Sequence, residues 1–179
     1  EIKEKYSDKR RTRVINGAVT AFQEEDLVPD EETIVTATQG GYIKRVNPKI
    51  YRVQHRGGKG IVGMTTRGDD VITHFISART HDRLLFFTSL GRGFGIKSFE
   101  IPEASRTARG QALVNFLGME KGEKVTAILV TSDKLKYLMM ATTKGIVKKI
   151  EAKNFLNVRR SGIKALNLSS GDELKWVKS

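Results

Sequence analysis

Three stretches of the chain place short apolar runs and glycine turns in the same order. Each stretch starts with an apolar run that ends in threonine, turns at a glycine and continues into a mixed apolar and basic run. Short runs rich in Val, Ile, Leu, Phe and Thr predict β-strands, and the fixed order predicts internal repeats. The three opening runs are Thr33–Thr38, Leu84–Thr88 and Tyr137–Thr142, and the turn glycines are Gly41, Gly91 and Gly145.

The second half of each stretch also follows one plan. A basic glycine loop is followed by an apolar run, a glycine–acid turn and a closing apolar run. The glycine–acid turns are Gly68–Asp70, Gly122–Glu123 and Gly171–Glu173. Four strands per unit at a period of about 50 residues predict an all-β, propeller-like array with less than about 15% helix. A β-sandwich is the main alternative, but it would not require repeats this regular.

The first 31 residues differ from the rest of the chain. Residues 1–15 are dense in charge, which predicts the end of a helix, and Asn16–Gly17 predicts a turn. Acidic residues flank Val28–Pro29, which indicates a solvated linker. We therefore expect residues 1–31 to be a helix end and linker, and residues 32–179 to be a β domain with repeats near 32–80, 81–133 and 134–179.

Composition narrows the classes of function. The chain holds 32 basic and 20 acidic residues, for a net charge of +12, and the positive excess lies beyond residue 32. The absence of cysteine excludes a disulfide scaffold, a thiolate metal site and a cysteine nucleophile. No apolar run is long enough to span a membrane, and no secretion signal opens the sequence. We expect a cytoplasmic protein with an anionic partner.

No motif predicts a catalytic centre, a metal site or a bound cofactor. Asp69–Asp70 could be a catalytic pair, but acids occupy the same turn in every repeat, which favours turn chemistry. His55, His74 and His81 do not recur between repeats and lack the spacing of metal ligands. The glycines of Gly91–Gly95 predict a β-turn, because no P-loop pattern and no strong helix follow them.

Basic residues, in contrast, recur at equivalent positions. Repeated charge at one place in stacked units predicts a continuous band rather than scattered lysines, and such a band fits the phosphates of duplex DNA, bound without reading bases. A generally solvated basic surface is the alternative. Aromatic residues are too few among the charges to favour stacking on single strands. The residues of this basic band are Lys44, Arg45, Arg52, Arg92, Lys97, Arg106, Arg109, Lys148, Lys149, Arg159 and Arg160.

One loop carries a specific resemblance. Residues Gln54, His55, Arg56, Gly57, Gly58, Lys59 and Gly60 resemble the GyrA box of the DNA gyrase C-terminal domain family, and depart from it only at His55. Gly41–Arg45 and Thr88–Pro102 are similar to the first and second blades of that family. The resemblance implies a β-pinwheel whose blades exchange strands. It also implies duplex DNA bent around the rim and the box, to direct ATP-dependent negative supercoiling.

The resemblance also implies what lies elsewhere in a parent enzyme. The gyrase B subunit, the A-subunit dimer, ATP and magnesium would all belong to the holoenzyme outside this fragment. Family discs have about six blades, whereas three repeats are present, so we expect a truncated or unusually short domain. The alternatives are a protein-interaction propeller, an RNA-binding β domain and the C-terminal domain of the A-type chain of topoisomerase IV.

Overall fold

The structure, a computed structural model, describes residues 1–7, 24–51, 70–132 and 134–179. Within these ranges the only α-helix is α1 (Ile2–Tyr6), and none is long and apolar enough to cross a membrane. The prediction of a mostly β protein is confirmed. The strands are β1 (Glu32–Thr38), β2 (Tyr42–Val46), β3 (Ile72–Arg79), β4 (Arg83–Thr88), β5 (Arg92–Lys97), β6 (Gln111–Ala112), β7 (Val125–Val130), β8 (Tyr137–Thr142), β9 (Val147–Glu151), β10 (Ile163–Lys164) and β11 (Leu174–Lys178).

The strands form three antiparallel sheets, and neighbouring repeats exchange strands. The first sheet has the order β3-β1-β2-β6, the second β10-β5-β4-β7, and the third β11-β8-β9. The short strand β6 belongs to the second repeat by sequence but pairs with β2 of the first, and β10 of the third repeat pairs with β5 of the second. This exchange is what the resemblance to a β-pinwheel implied.

The exchanged strands are shorter than the apolar runs predicted. In the second repeat, the apolar run that follows the basic glycine loop is Ala112–Phe116. Only Gln111–Ala112 pairs with β2, and a 3-10 turn follows at Leu113–Asn115. The turn directs Leu113 and Leu117 into the core, where both are buried. The apolar run therefore reflects burial of a turn rather than of a longer strand.

The core lies between the sheets in two clusters. Because successive side chains of a strand point to opposite faces, the fully buried strand β4 contributes to both. Leu84 and Phe86 pack in the cluster between the first and second sheets, whereas Leu85 and Phe87 pack in the cluster between the second and third. The second sheet is thus covered on both faces, as in stacked propeller blades.

The sheet order defines two margins. Strands β3, β7 and β11 lie at one edge of their sheets, and β7 contacts both of the others, so we call this edge the inner margin. Strands β6, β10 and β9 lie at the opposite edge, which we call the outer margin. Within the described residues β9 pairs only with β8, so the third sheet lacks the exchanged strand that the first two sheets have.

Candidate nucleic-acid interface

The glycine–acid turns are structural. Asp70 Oδ1 accepts a hydrogen bond from the backbone amide of Gly40 (2.6 Å), and Asp172 Oδ1 accepts one from the amide of Lys144 (3.0 Å). Glu123 accepts a bond from the Thr88 hydroxyl in the same place of the second repeat. The carboxylates thus brace the first turn of each repeat, and the interpretation of the acids as turn residues is confirmed for these three.

Asp172 shows how such a carboxylate stays ionised. Burial acts to raise its pKa, but hydrogen bonds to the carboxylate outweigh burial, so the pKa lies below its usual range. The donors are the hydroxyls of Thr142 and Thr143 and the backbone amides of Lys144 and Glu173. In the described parts of the chain, no group of three or more His, Asp or Glu side chains is arranged to hold a metal ion.

The residues of the GyrA-box resemblance, Gln54 to Gly60, lie outside the described residues, as does Arg52. Their assignment to DNA stays a prediction. The equivalent loops of the second and third repeats are described. The backbone oxygen of Arg159 accepts bonds from the amides of Gly95 and Gly162, which fixes the third-repeat loop against β5.

Lys44 does not fit the predicted basic band. Its side chain is fully buried, and its Nζ donates to the carbonyl oxygens of Ser105 (3.2 Å), Arg106 and Ala108 (2.9 Å). Burial and the nearby charge of Arg106 lower the pKa of Lys44. Lys44 therefore ties the second-repeat connection to β2, and in this conformation it cannot contact a phosphate.

Arg92 is held by a buried carboxylate. Its guanidinium is 3.0 Å from Glu123 Oε2 and 3.3 Å from Glu120 Oε1, and it donates to the carbonyl oxygens of Gly118 and Ser161. The Glu123 side chain has no exposed surface, so its charge requires this partner. Arg92 therefore joins the second and third repeats and offers few free donors to a ligand.

Two further members of the band are engaged in ion pairs. Arg45 is 3.7 Å from Glu103 and donates to the carbonyl oxygen of Ile101, so only a small part of its side chain is exposed. Lys97 Nζ is 2.9 Å from Glu25 Oε1 and donates to the carbonyl oxygen of His81. A phosphate would have to replace these partners to bind either residue.

Three other members of the band make no ion pair with any residue that the structure describes. The Arg109 guanidinium stacks 3.5 Å from the centre of the Tyr42 ring, and Lys149 Nζ lies 4.1 Å from the centre of the Tyr137 ring. Lys148 Nζ donates to the carbonyl oxygen of Ala165. Cation–π contacts hold a basic group in place without neutralising its charge, so Arg109 and Lys149 keep their positive field.

Among the described arginines of the basic band, those of the third-repeat loop are the most exposed. Arg159 is exposed, and Arg160 is exposed but pairs with Glu100 through its guanidinium. The carbonyl oxygen of Arg160 accepts a bond from the Gly118 amide, so the loops of two repeats lie side by side. Lys164 continues this exposed surface on β10 at the outer margin.

Recurrence alone missed several exposed lysines. Their side chains make no hydrogen bond or ion pair within the part of the chain that the structure describes. These lysines do not occupy equivalent positions in the repeats, so the sequence comparison did not select them. The structure shows that they differ from the lysines that form ion pairs. These lysines are Lys49, Lys121, Lys124, Lys134, Lys136, Lys164, Lys175 and Lys178.

Comparison with known families identifies the repeats. The family described as the DNA gyrase C-terminal domain, beta-propeller, matches residues 32–79, 82–132 and 136–179. The chain belongs to the DNA gyrase C-terminal domain family. The resemblance drawn from the sequence is confirmed, and the β-pinwheel is the fold of this family.

Individual relatives agree with this assignment. The chain is 44% identical to the gyrase A protein of Streptococcus pneumoniae over 97% of its own length, and 41% identical to that of Halalkalibacterium halodurans over 99%. It spans only 22% of the length of either relative. Among solved structures, the C-terminal domain of DNA topoisomerase IV superposes with a TM-score of 0.71 at 25% identity, covering 84% of this chain and 46% of that one. The DNA gyrase A C-terminal domain gives 0.64 at 24% identity, covering 82% and 47%.

Proposed function

We propose that this domain binds duplex DNA along its outer margin and bends it, as the wrapping domain of a gyrase A protein. The single observation that supports this best is the family match over three repeats, joined to a net charge of +12. Arg159 and Lys164 supply exposed charge at the outer margin, and aromatic rings of the first and third sheets hold Arg109 and Lys149. Contacts of this kind go to phosphates, so binding depends on salt and little on base sequence.

The wider role follows as part of the same proposal. In an intact gyrase, wrapping would present a neighbouring duplex segment to the cleavage gate, and passage driven by ATP would introduce negative supercoils. The gyrase B subunit, the A-subunit dimer, ATP and magnesium would act outside this chain. The near-complete box at Gln54–Gly60 favours gyrase over topoisomerase IV, although a topoisomerase IV domain superposes well.

The experiment compares two charge-matched double variants in duplex binding. Arg159→Gln with Lys164→Gln removes two exposed charges from the outer margin, whereas Lys175→Gln with Lys178→Gln removes two from β11 at the inner margin. We expect the outer pair to reduce the steepness of log K against log salt by about 1.8, because each lost phosphate contact accounts for about 0.9. The inner pair should leave that slope unchanged.

Two outcomes of this experiment would refute DNA binding along the outer margin. Equal losses from the outer and inner pairs would show that DNA follows no particular margin. Binding that is insensitive to salt would exclude backbone contact altogether. A plasmid relaxed by a separate topoisomerase in the presence of the chain should retain a change in linking number if DNA bends around the domain.

The box has its own test in an intact gyrase. Arg56→Ala with Lys59→Ala keeps every glycine of the loop, so the fold should survive. We expect loss of supercoiling with relaxation retained, because closing the wrap and cleaving DNA are separate steps. Supercoiling at the wild-type rate would contradict the role proposed for Arg56 and Lys59.

A further inference from the structure

The acidic segment Glu25–Glu31 packs against the β domain, although the sequence predicted a solvated linker. Glu25 Oε1 lies 2.9 Å from Lys97 Nζ at the end of β5. Asp30 Oδ2 lies 2.7 Å from Arg79 Nε at the end of β3, and Arg79 also donates to the Asp30 carbonyl oxygen at 3.0 Å. The two ion pairs hold the segment at both ends across the first two repeats.

Uncharged hydrogen bonds fix the backbone between those ion pairs. The Thr80 amide donates to the Glu31 carbonyl oxygen, and the Glu31 amide donates back to Thr80 Oγ1, both at 2.9 Å. Thr80 Oγ1 also donates to the Pro29 carbonyl oxygen at 2.7 Å. His81 Nε2 lies 2.7 Å from the Val28 carbonyl oxygen, with the ring as donor. The segment therefore has one defined position.

The receiving surface, which we call the docking surface, consists of Arg79, Thr80, His81, Lys97 and Phe99. It offers two cations and two neutral donors, and the His81 and Phe99 rings form a T-shaped pair with 6.3 Å between centroids. This chemistry suits an anionic, extended chain. Arg79 and Lys97 are only partly exposed in its presence.

One residue of the docking surface also belongs to the basic band. Lys97 was predicted from the sequence to contact a phosphate, and the Glu25 carboxylate takes the place that a phosphate oxygen would need. Asp30 pairs instead with Arg79 at the end of β3, which anchors the segment away from the basic band, and the Arg79 guanidinium holds the pKa of Asp30 below its usual range. The acidic segment and DNA would thus compete for Lys97.

We propose that Glu25–Glu31 is a built-in acidic competitor, which covers the docking surface until duplex DNA displaces it. The inference rests on the proposed function, because it requires DNA to reach Lys97. A partly exposed ion pair is weak, so a DNA phosphate can replace Glu25 at Lys97. The segment would then reduce affinity for short or loosely held DNA and yield to DNA that is wrapped closely.

The test compares two single variants that remove the same charge. Glu25→Gln breaks the pair with Lys97, whereas Glu31→Gln is the control, because the Glu31 side chain makes no hydrogen bond or ion pair to any residue that the structure describes. We expect Glu25→Gln to bind duplex DNA about 1.4- to fivefold more tightly than Glu31→Gln, which corresponds to the free energy of an exposed ion pair. Its salt slope should be steeper by about 0.9.

A second measurement follows displacement directly. In the wild-type chain, the amide protons of Thr80 and Glu31 should exchange faster when duplex DNA is added, because their bonds hold the segment in place. Equal affinities for the two variants, or unchanged exchange at these amides, would refute the proposal that the segment competes with DNA. Both results leave the proposed DNA binding intact. If neither the variants nor the wild type bound duplex DNA, that result would refute the proposed function itself.

Discussion

Replacing Gly110 with alanine tests how firmly the repeats are joined by strand exchange. Gly110 lies just before β6, which pairs with β2 through Ala112 opposite Tyr42. Its φ is +83°, and an added Cβ would press on the carbonyl of Ile43, 2.8 Å from its carbon, and lie 3.0 Å from Lys44 Cβ. Because the obstacle is mostly backbone, it cannot move away without disturbing the pairing.

The expected cost has two parts. A left-handed conformation costs an L-residue about 1–2 kcal/mol, and forcing extra volume into a packed site costs about 1–3 kcal/mol more. Gly110→Ala should therefore lower the free energy of unfolding by about 2–5 kcal/mol. Gly122→Ala is the matched control, since Gly122 has a φ of +84° and nothing within 4 Å of an added Cβ. Gly122→Ala should therefore lower the free energy of unfolding only by the cost of the left-handed conformation, about 1–2 kcal/mol.

Denaturant unfolding followed by far-UV circular dichroism measures the difference. The two variants share the conformational strain, so subtracting one free energy from the other isolates the contact between the second-repeat loop and β2. A difference of at least about 1 kcal/mol is expected. If Gly110→Ala and Gly122→Ala were equally stable, the loop would not be locked against Ile43, and strand exchange would contribute little to holding the repeats together.

The regular parts of the fold could be predicted because they depend on local sequence. Each first turn needs a glycine after a threonine, and Gly41, Gly91 and Gly145 all take a positive φ with their amides bonded to the threonine carbonyl. The acids of the later turns were also recognised as turn residues. Such signals span only a few residues, so a single sequence carries them in full.

Which basic side chains are buried or paired could not be predicted from local sequence. Recurrence placed Lys44 and Lys148 at equivalent positions, but the carbonyl groups that bind Lys44 come from residues more than 60 positions later. The same holds for the acidic segment, whose partner Lys97 is 72 residues from Glu25. Pairing over such distances depends on how repeats pack, which no local pattern encodes.

Two further predictions concern buried charge and pH. Arg92→Leu should cost about 3–5 kcal/mol, because it leaves the Glu123 carboxylate buried and unpaired, whereas Glu120→Gln on the exposed side of the same guanidinium should cost about 1 kcal/mol or less. Burial lowers the pKa of His74 and outweighs the bond to the Thr126 backbone. The unfolded chain, with a histidine pKa of about 6.5, therefore binds this proton more readily than the folded one. The free energy of unfolding should fall as pH drops below about 6.5, and His74→Gln should reduce that fall. Identical pH profiles for the wild type and His74→Gln would show that the folded protein does not resist protonation at this site.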